Sequence, residues 1–198
     1  ADIASWDDEA PTQWGLVGRA SNLTIGQATD YAFTYLPVNR TLQIIYLRNE
    51  QGFTMARQEI TLDPAHRYHA VFKGVGNYFE GTLYDLTDPA ALAVKLSARN
   101  NLYASGLSGL LIYSTKPGAE PDFVIDDYSA KAGSLDHPEP DAGRLADYFF
   151  DDKDDGWVHY DPLAGVGGTA ATFSVTNGSY HIHVPGSPNS AFGPARVG

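Results

Sequence analysis

The stretch from Asp122 to Trp157 reads DFVIDDYSAKAGSLDHPEPDAGRLADYFFDDKDDGW, and the architecture follows from it. Its first part, Phe123–Ala130, alternates apolar and polar residues, which predicts the last strand of a sheet. Its last part, which begins at Tyr148, has the composition of the first strand of a sheet. The segment between them is rich in Pro, Gly and polar residues and predicts a connector. A strand typical of the end of a sandwich domain therefore precedes a strand typical of its beginning, in the middle of the chain.

The composition favours short strands joined by tight turns. Of the 198 residues, 19% are charged and 12% are aromatic, and twenty are Gly. Apolar runs at short, regular spacing with no helical segments between them are typical of β-sandwiches. A chain of this length can form one such domain with a substantial core. We therefore predict a single all-β domain, an antiparallel β-sandwich that spans residues 1–198.

The charge and composition of the chain argue against several kinds of partner and chemistry. The formal net charge is −11 and only 13 residues are Lys or Arg, so a nucleic-acid partner is not expected. The longest apolar run is well short of the roughly 20 residues that span a bilayer, and we predict no membrane insertion. No cysteine is present, so neither disulfides nor thiolate chemistry contributes.

Two local patterns give specific structural predictions. The run Leu42–Leu47 is apolar on both faces and predicts a central strand. The pair Asn177-Gly178 lies between two alternating runs, and both residues suit the positive φ angles of a type I′ turn. We therefore predict a hairpin there, with Tyr180 and Ile182 facing the core.

The chain resembles concanavalin A-like (laminin G-like) jelly-roll modules of secreted bacterial proteins. The segments that resemble the second part of such a module are Arg67–Phe72, Phe79–Leu86, Tyr103–Gly106 and Phe123–Ala130. The segments that resemble its first part are Gly156–Trp157, Thr172–Tyr180 and Gly193–Arg196. The resemblance implies a jelly-roll fold and is carried by turn and core residues rather than by catalytic ones.

The order of the two parts is reversed relative to that family. Residues 1–132 would form the second part of the module, residues 133–144 the connector, and residues 145–198 the first part. We expect a circular permutant, or an excerpt cut across tandem modules in which the tail completes the first module. If residues 145–198 formed a separate half-domain, this hypothesis would fail.

Acidic residues near both ends of the opening stretch suggest a metal site. The candidate calcium ligands are Asp126, Asp127, Asp151 and Asp152. Calcium takes six to eight oxygen ligands, many of them carboxylates. The resemblance implies a structural calcium where the first and last strands meet. The alternative is a solvated acidic loop in which Asp126 caps backbone amides.

Two other candidate sites lack part of what their chemistry requires. His181 and His183 share one face of a strand and could hold a metal, but no third ligand follows them closely. Glycoside hydrolysis usually needs two carboxyl groups across the scissile bond, and the Glu residues show no such spacing. Whether the chain is an enzyme stays open, and the sequence favours a non-catalytic protein.

Aromatic and polar side chains could instead bind a sugar, because the apolar face of a sugar ring stacks on aromatic rings. The candidate ligand-binding residues are Trp14, Arg19, Tyr31, Tyr46, Glu80, Tyr84 and Arg196. The alternative for the aromatic residues is the core, where most aromatic side chains of a sandwich lie.

Three functions remain from these observations. The first is a non-catalytic, extracellular or cell-surface carbohydrate-binding (lectin-like) module with a polysaccharide or glycan as its partner. The second is a structural or adhesive tandem module of a surface protein, next to neighbouring modules of a larger chain. The third is a glycan hydrolase or lyase. An open row of aromatic and Arg side chains on a sheet would favour the first, and a closed sheet face the second.

Overall fold

The structure is a computed structural model. It describes the residues 1–6, 8, 12–88, 90–91, 93–114, 122–131, 144–148, 157, 159–161, 170–183 and 195–197.

The described residues form sixteen strands and no helix. In chain order the strands are β1 (Asp2–Trp6), β2 (Thr12–Ser21), β3 (Thr29–Leu36), β4 (Thr41–Arg48), β5 (Gln51–Glu59), β6 (Tyr68–Val75), β7 (Tyr78–Asp85), β8 (Val94–Arg99), β9 (Leu107–Ser114), β10 (Asp122–Asp126), β11 (Tyr128–Lys131), β12 (Arg144–Tyr148), β13 (His159–Tyr160), β14 (Thr172–Thr176), β15 (Ser179–His183) and β16 (Ala195–Val197).

Two sheets of seven described strands each pack face to face. Sheet A has the strand order β14-β15-β10-β1-β6-β7-β8, and sheet B has the order β13-β16-β9-β2-β3-β4-β5. Strands β11 and β12 pair separately. All of these pairs are antiparallel. The predicted all-β antiparallel sandwich is therefore confirmed, and the arrangement is compatible with a jelly roll.

Aromatic rings from both sheets fill the space between them. Tyr31 of β3 lies 4.0 Å from Phe79 of β7, measured between ring centroids. Trp14 of β2 stacks on Phe123 of β10 at 5.4 Å. All four side chains are at most 2% exposed. Aromatic side chains bury large apolar areas, so these contacts across the sandwich contribute much of its stability.

Two local predictions from the sequence are confirmed. Asn177 and Gly178 have φ angles of 52° and 75° and join β14 to β15. Tyr180 and Ile182 of that hairpin are fully buried, as the alternation predicts. Strand β4, which contains the run Leu42–Leu47, lies between β3 and β5 in sheet B.

The described strands that follow residue 143 pair with strands from the first part of the chain. In sheet A, β15 pairs with β10, where Ile182 lies opposite Phe123. In sheet B, β16 pairs with β9, and β12 pairs with β11 outside both sheets. These strands therefore do not form a separate half-domain. Arg144, the last residue of the predicted connector, pairs with Lys131 and begins β12.

The outer faces of the two sheets differ. On sheet B, five apolar side chains of the outer face are at most 5% exposed, namely Val17, Ala32, Ile45, Leu47 and Leu111. On sheet A, the outer face carries polar and charged side chains such as His69 and Lys95, which are 42% and 58% exposed. A ligand that lies across several strands therefore has more access to sheet A.

Candidate functional site

Two of the predicted ligand-binding residues belong to the core. Trp14 is 2% exposed and Tyr31 is fully buried, and both rings point between the sheets. The Tyr31 hydroxyl donates a hydrogen bond of 2.7 Å to the side-chain oxygen of Asn100. A sugar cannot stack on either ring without opening the sandwich, so both residues leave the candidate site. The alternative interpretation, that aromatic residues fill the core, holds for them.

Tyr46 and Arg196 lie in sheet B. Tyr46 is half-buried, and its ring stacks on that of Phe53 at 4.9 Å. Phe53 is 40% exposed on the edge strand β5. Arg196 pairs with Leu111 in the register between β16 and β9. Tyr46 lies opposite Tyr31 in the register between β3 and β4, but Glu80 and Tyr84 belong to β7 of the other sheet.

Arg19 fastens one sheet to the other. Its guanidinium donates hydrogen bonds to the backbone carbonyls of Gly76, at 2.8 Å, and of Tyr103, at 2.9 Å. It also lies 4.9 Å from the centre of the Phe79 ring, a cation–π distance. These contacts join β2 of sheet B to the turn between β6 and β7, to the ring of Phe79 on β7, and to the segment between β8 and β9. Arg19 therefore has a structural role in the folded chain.

Replacement of Arg19 by Met is expected to lower the free energy of unfolding by about 2 kcal/mol, because two hydrogen bonds to a charged donor are lost. Urea unfolding followed by circular dichroism measures this change. The control is Arg57→Met, which removes an exposed Arg of β5 and should cost less than about 0.5 kcal/mol. Equal losses in the two variants would contradict the fastening role.

Glu80 and Tyr84 lie on the outer face of β7, as the strand alternation predicts. Phe79 and Leu83 of the same strand point inward and are at most 2% exposed, whereas Tyr84 is 44% exposed. We name the surface around these two residues the β7 face. It consists of outward-facing residues of three adjacent strands, namely His69, Val71, Lys73 and Val75 of β6, Tyr78, Glu80, Thr82 and Tyr84 of β7, and Lys95, Ser97 and Arg99 of β8.

Fixed polar contacts hold one end of the β7 face. The Lys95 ammonium lies 2.7 Å from a carboxylate oxygen of Glu80. This hydrogen bond raises the pKa of Lys95. The Arg99 guanidinium lies 5.0 Å from the centre of the Tyr78 ring. These side chains therefore present a defined arrangement of rings and charges.

The other end of the β7 face carries the exposed ring of Tyr84. The His69 ring lies 6.1 Å from it, and the Nδ1 atom of His69 is hydrogen-bonded to the Asp2 carboxylate. One strand further, Arg67 and Asp126 form an ion pair of 2.7 Å. The Tyr84 ring is thus both accessible and supported by neighbours that are themselves held in place.

The predicted calcium ligands are only partly described. Asp126 is engaged by the Arg67 guanidinium. Asp127 is exposed and has a positive φ of 48° between β10 and β11. Asp151 and Asp152 lie outside the described residues. Among the described residues, no group of three or more His, Cys, Asp or Glu side chains could hold a metal ion. The calcium site therefore stays a prediction.

A histidine–carboxylate pair at the end of β7 was not predicted from the sequence. The His66 ring bonds to the Asp85 carboxylate at 2.7 Å, and this bond raises the pKa of His66. Burial opposes ionisation of Asp85, but hydrogen bonds from the backbone of Asp88, from His66 and from the backbone of Thr87 outweigh it and lower the pKa of that carboxyl. The pair fastens the turn before β6 to β7.

We expect the pKa of His66, measured by NMR titration, to lie above the ordinary histidine value of 6.5. Because the folded-state pKa is raised, the pair stabilises the fold fully below the unfolded-state pKa of about 6.5 and loses this contribution as the pH rises through the folded-state value. Asp85→Asn should return the pKa towards 6.5. A His66 pKa that does not respond to this substitution would contradict the assignment.

Comparison with known proteins adds no family to these observations. No family model, no curated protein and no solved structure matches the chain. None of the described residues forms a helix that is long and apolar enough to cross a membrane. The resemblance to concanavalin A-like modules therefore rests on the segments quoted from the sequence.

Proposed function

We propose that this chain is a non-catalytic carbohydrate-binding module that binds a glycan on the β7 face. The observation that supports the proposal is the exposed ring of Tyr84, which shares an open sheet face with Glu80 and His69. An aromatic ring offers a surface for the apolar face of a sugar. Carboxylate, imidazole and ammonium groups beside it can bond to the sugar hydroxyls.

The shape of the site favours a polymer over a small ligand. Tyr78 and Tyr84 lie on the same face of one strand, six residues apart, which corresponds to about 20 Å along the strand. Small ligands usually bind in concave pockets that cover most of their surface. An open strip of this length instead suits several consecutive units of a polysaccharide, with one ring near each end.

The same face supports a binding role over a catalytic one. Glycoside hydrolases usually place two carboxyl groups across the scissile bond. The described residues of the β7 face include one carboxylate, Glu80, and it is paired with Lys95.

The proposal has three further parts. We place the module outside the cell or on its surface. We also propose that it lies next to neighbouring modules of a larger chain and holds a structural calcium ion.

Binding to a panel of soluble polysaccharides by isothermal titration calorimetry tests the proposal. Tyr84→Ala should weaken the binding at least about fivefold, because an aromatic stacking contact is worth about 1 kcal/mol beyond its buried area. The control is Phe53→Ala, which removes an exposed ring from β5 and should leave the affinity unchanged. If no polysaccharide binds, or if both variants bind like the parent chain, the proposal fails.

A structural or adhesive module is the second candidate function. The closed outer face of sheet B favours it, because Ala32 and Leu111 are at most 1% exposed there and offer nothing to a ligand. Such a module would act through contacts with other chains rather than through a glycan. A chain that binds no member of the polysaccharide panel would support this function.

A further inference from the structure

We infer that the ligand of the β7 face is an anionic polysaccharide. The inference rests on the proposed function and names the class of its ligand. Its basis is the distribution of charge: the formal net charge of the chain is −11, yet the β7 face carries the three cations Lys73, Lys95 and Arg99. Among its described residues, Glu80 is the one carboxylate.

The β7 face has more cationic side chains than carboxylates. Lys95 is paired with Glu80 at 2.7 Å. Lys73 lies opposite Glu80 in the register between β6 and β7 and is exposed. Arg99 donates a hydrogen bond of 3.0 Å to the side chain of Asn77, which is an uncharged amide. Two cations therefore remain available for an external anion.

The adjacent carboxylates lie away from the two available cations. Asp2 on β1 is hydrogen-bonded to His69, and Asp126 on β10 is paired with Arg67. Both lie beyond β6, on the side of the face away from Arg99. A positive surface on an acidic protein attracts polyanions selectively, because the rest of the chain repels them. A guanidinium also binds carboxylate or sulfate groups with two parallel hydrogen bonds.

The experiment compares polygalacturonate with a neutral galactan, using the parent chain and two double variants. Lys73→Gln with Arg99→Gln removes the two available cations, and Arg48→Gln with Arg57→Gln removes two exposed cations of sheet B. We expect the parent chain to bind polygalacturonate more tightly than galactan, and more weakly as salt is added. The first double variant should lose at least tenfold in affinity, and the second should lose nothing.

The outcomes separate the inference from the proposed function. If galactan binds as well as polygalacturonate, or if both double variants bind alike, the anionic ligand is wrong and the glycan-binding function stands. If neither polymer nor any member of the neutral panel binds, the proposed function itself fails. Circular dichroism on each variant shows that a lost affinity does not come from a lost fold.

A different observation concerns the edges of the sheets. Exposed edge strands can pair with other chains, and proteins usually block them with charges, bulges or short strands. Among the described edge strands, β5 has a register shift opposite Ile44 and Ile45, β8 carries Lys95 and Arg99, and β13 has two residues. The edge strand β14 has none of these features. It is the uncharged sequence TFSVT, and Thr172, Ser174 and Thr176 are exposed.

We propose that β14 pairs with β14 of a second copy of this chain. The sequence is self-complementary in an antiparallel register centred on Ser174. This register places Phe173 opposite Val175 and Thr172 opposite Thr176. Pairs of an aromatic with a β-branched residue, and pairs of Thr with Thr, are favourable across strands. Because a five-residue strand buries a small area, the dimer should be weak and concentration-dependent.

Analytical ultracentrifugation over a range of protein concentrations tests this contact. The parent chain should show a mass that rises with concentration towards that of a dimer. Ser174→Lys places two like charges opposite each other at the centre of the pair and should give a monomer at every concentration. Ser174→Thr should keep the dimer. A parent chain that stays monomeric at the highest concentration, or a dimer that survives Ser174→Lys, would overturn the proposal.

Discussion

Replacement of Gly15 by alanine is expected to destabilise the fold by about 3 kcal/mol or more. Gly15 lies opposite Thr34 in the register between β2 and β3, near the middle of sheet B. A Cβ atom at this position would lie 2.1 Å from the carbonyl oxygen of Phe33 and 2.8 Å from the Cα atom of Thr34. Both are backbone atoms of the adjacent strand, so the clash can be relieved only by separating the two strands.

Gly18 of the same strand provides the control. A Cβ atom there would meet only the ring of Phe72, at 3.7 Å, which is an ordinary van der Waals contact. Gly18→Ala should therefore be neutral, or stabilise the fold by up to about 1 kcal/mol through the lower chain entropy of alanine. Urea unfolding of both variants measures the difference. Similar midpoints for the two variants would show that β2 and β3 are not packed as closely as described.

Two features of the fold, a hairpin and a central strand, could be predicted from local sequence patterns. The hairpin at Asn177 and Gly178 could be predicted because only a few residue types adopt two successive positive φ angles. Strand β4 could be predicted as central because Leu42–Leu47 is apolar on both faces, and the structure buries both. These features depend on residues within a few positions of each other, so the sequence displays them directly.

The candidate site could be predicted only where it lies on one strand. Glu80 and Tyr84 are four residues apart on β7, and alternation alone places them on one face. Lys73, Lys95 and Arg99 come from two other strands, and only the register of β6, β7 and β8 brings them to that face. The structural contacts of Arg19 could not be predicted, because nothing in its flanking sequence shows that its guanidinium bonds to distant carbonyls.

Replacement of Ile182 by alanine is expected to lower the free energy of unfolding by about 2–5 kcal/mol. Ile182 is fully buried on β15 and lies opposite Phe123 of β10 and Phe173 of β14. It belongs to the same buried cluster as Trp14 and Phe79, which come from the first part of the chain. Truncation of Ile182 therefore leaves a cavity in the core that both parts of the chain share.

The measurement can show whether the two parts unfold together. In a Trp157→Phe background, the remaining tryptophans are Trp6 and Trp14, both in the first part of the chain. If the core is shared, Ile182→Ala shifts their fluorescence transition in urea as much as it shifts the circular dichroism transition, because the unfolding is cooperative. The exposed control Ser174→Ala should shift neither. If Ile182→Ala left the fluorescence midpoint unchanged, residues 145–198 would be a separate unit, and the permuted single sandwich would be wrong.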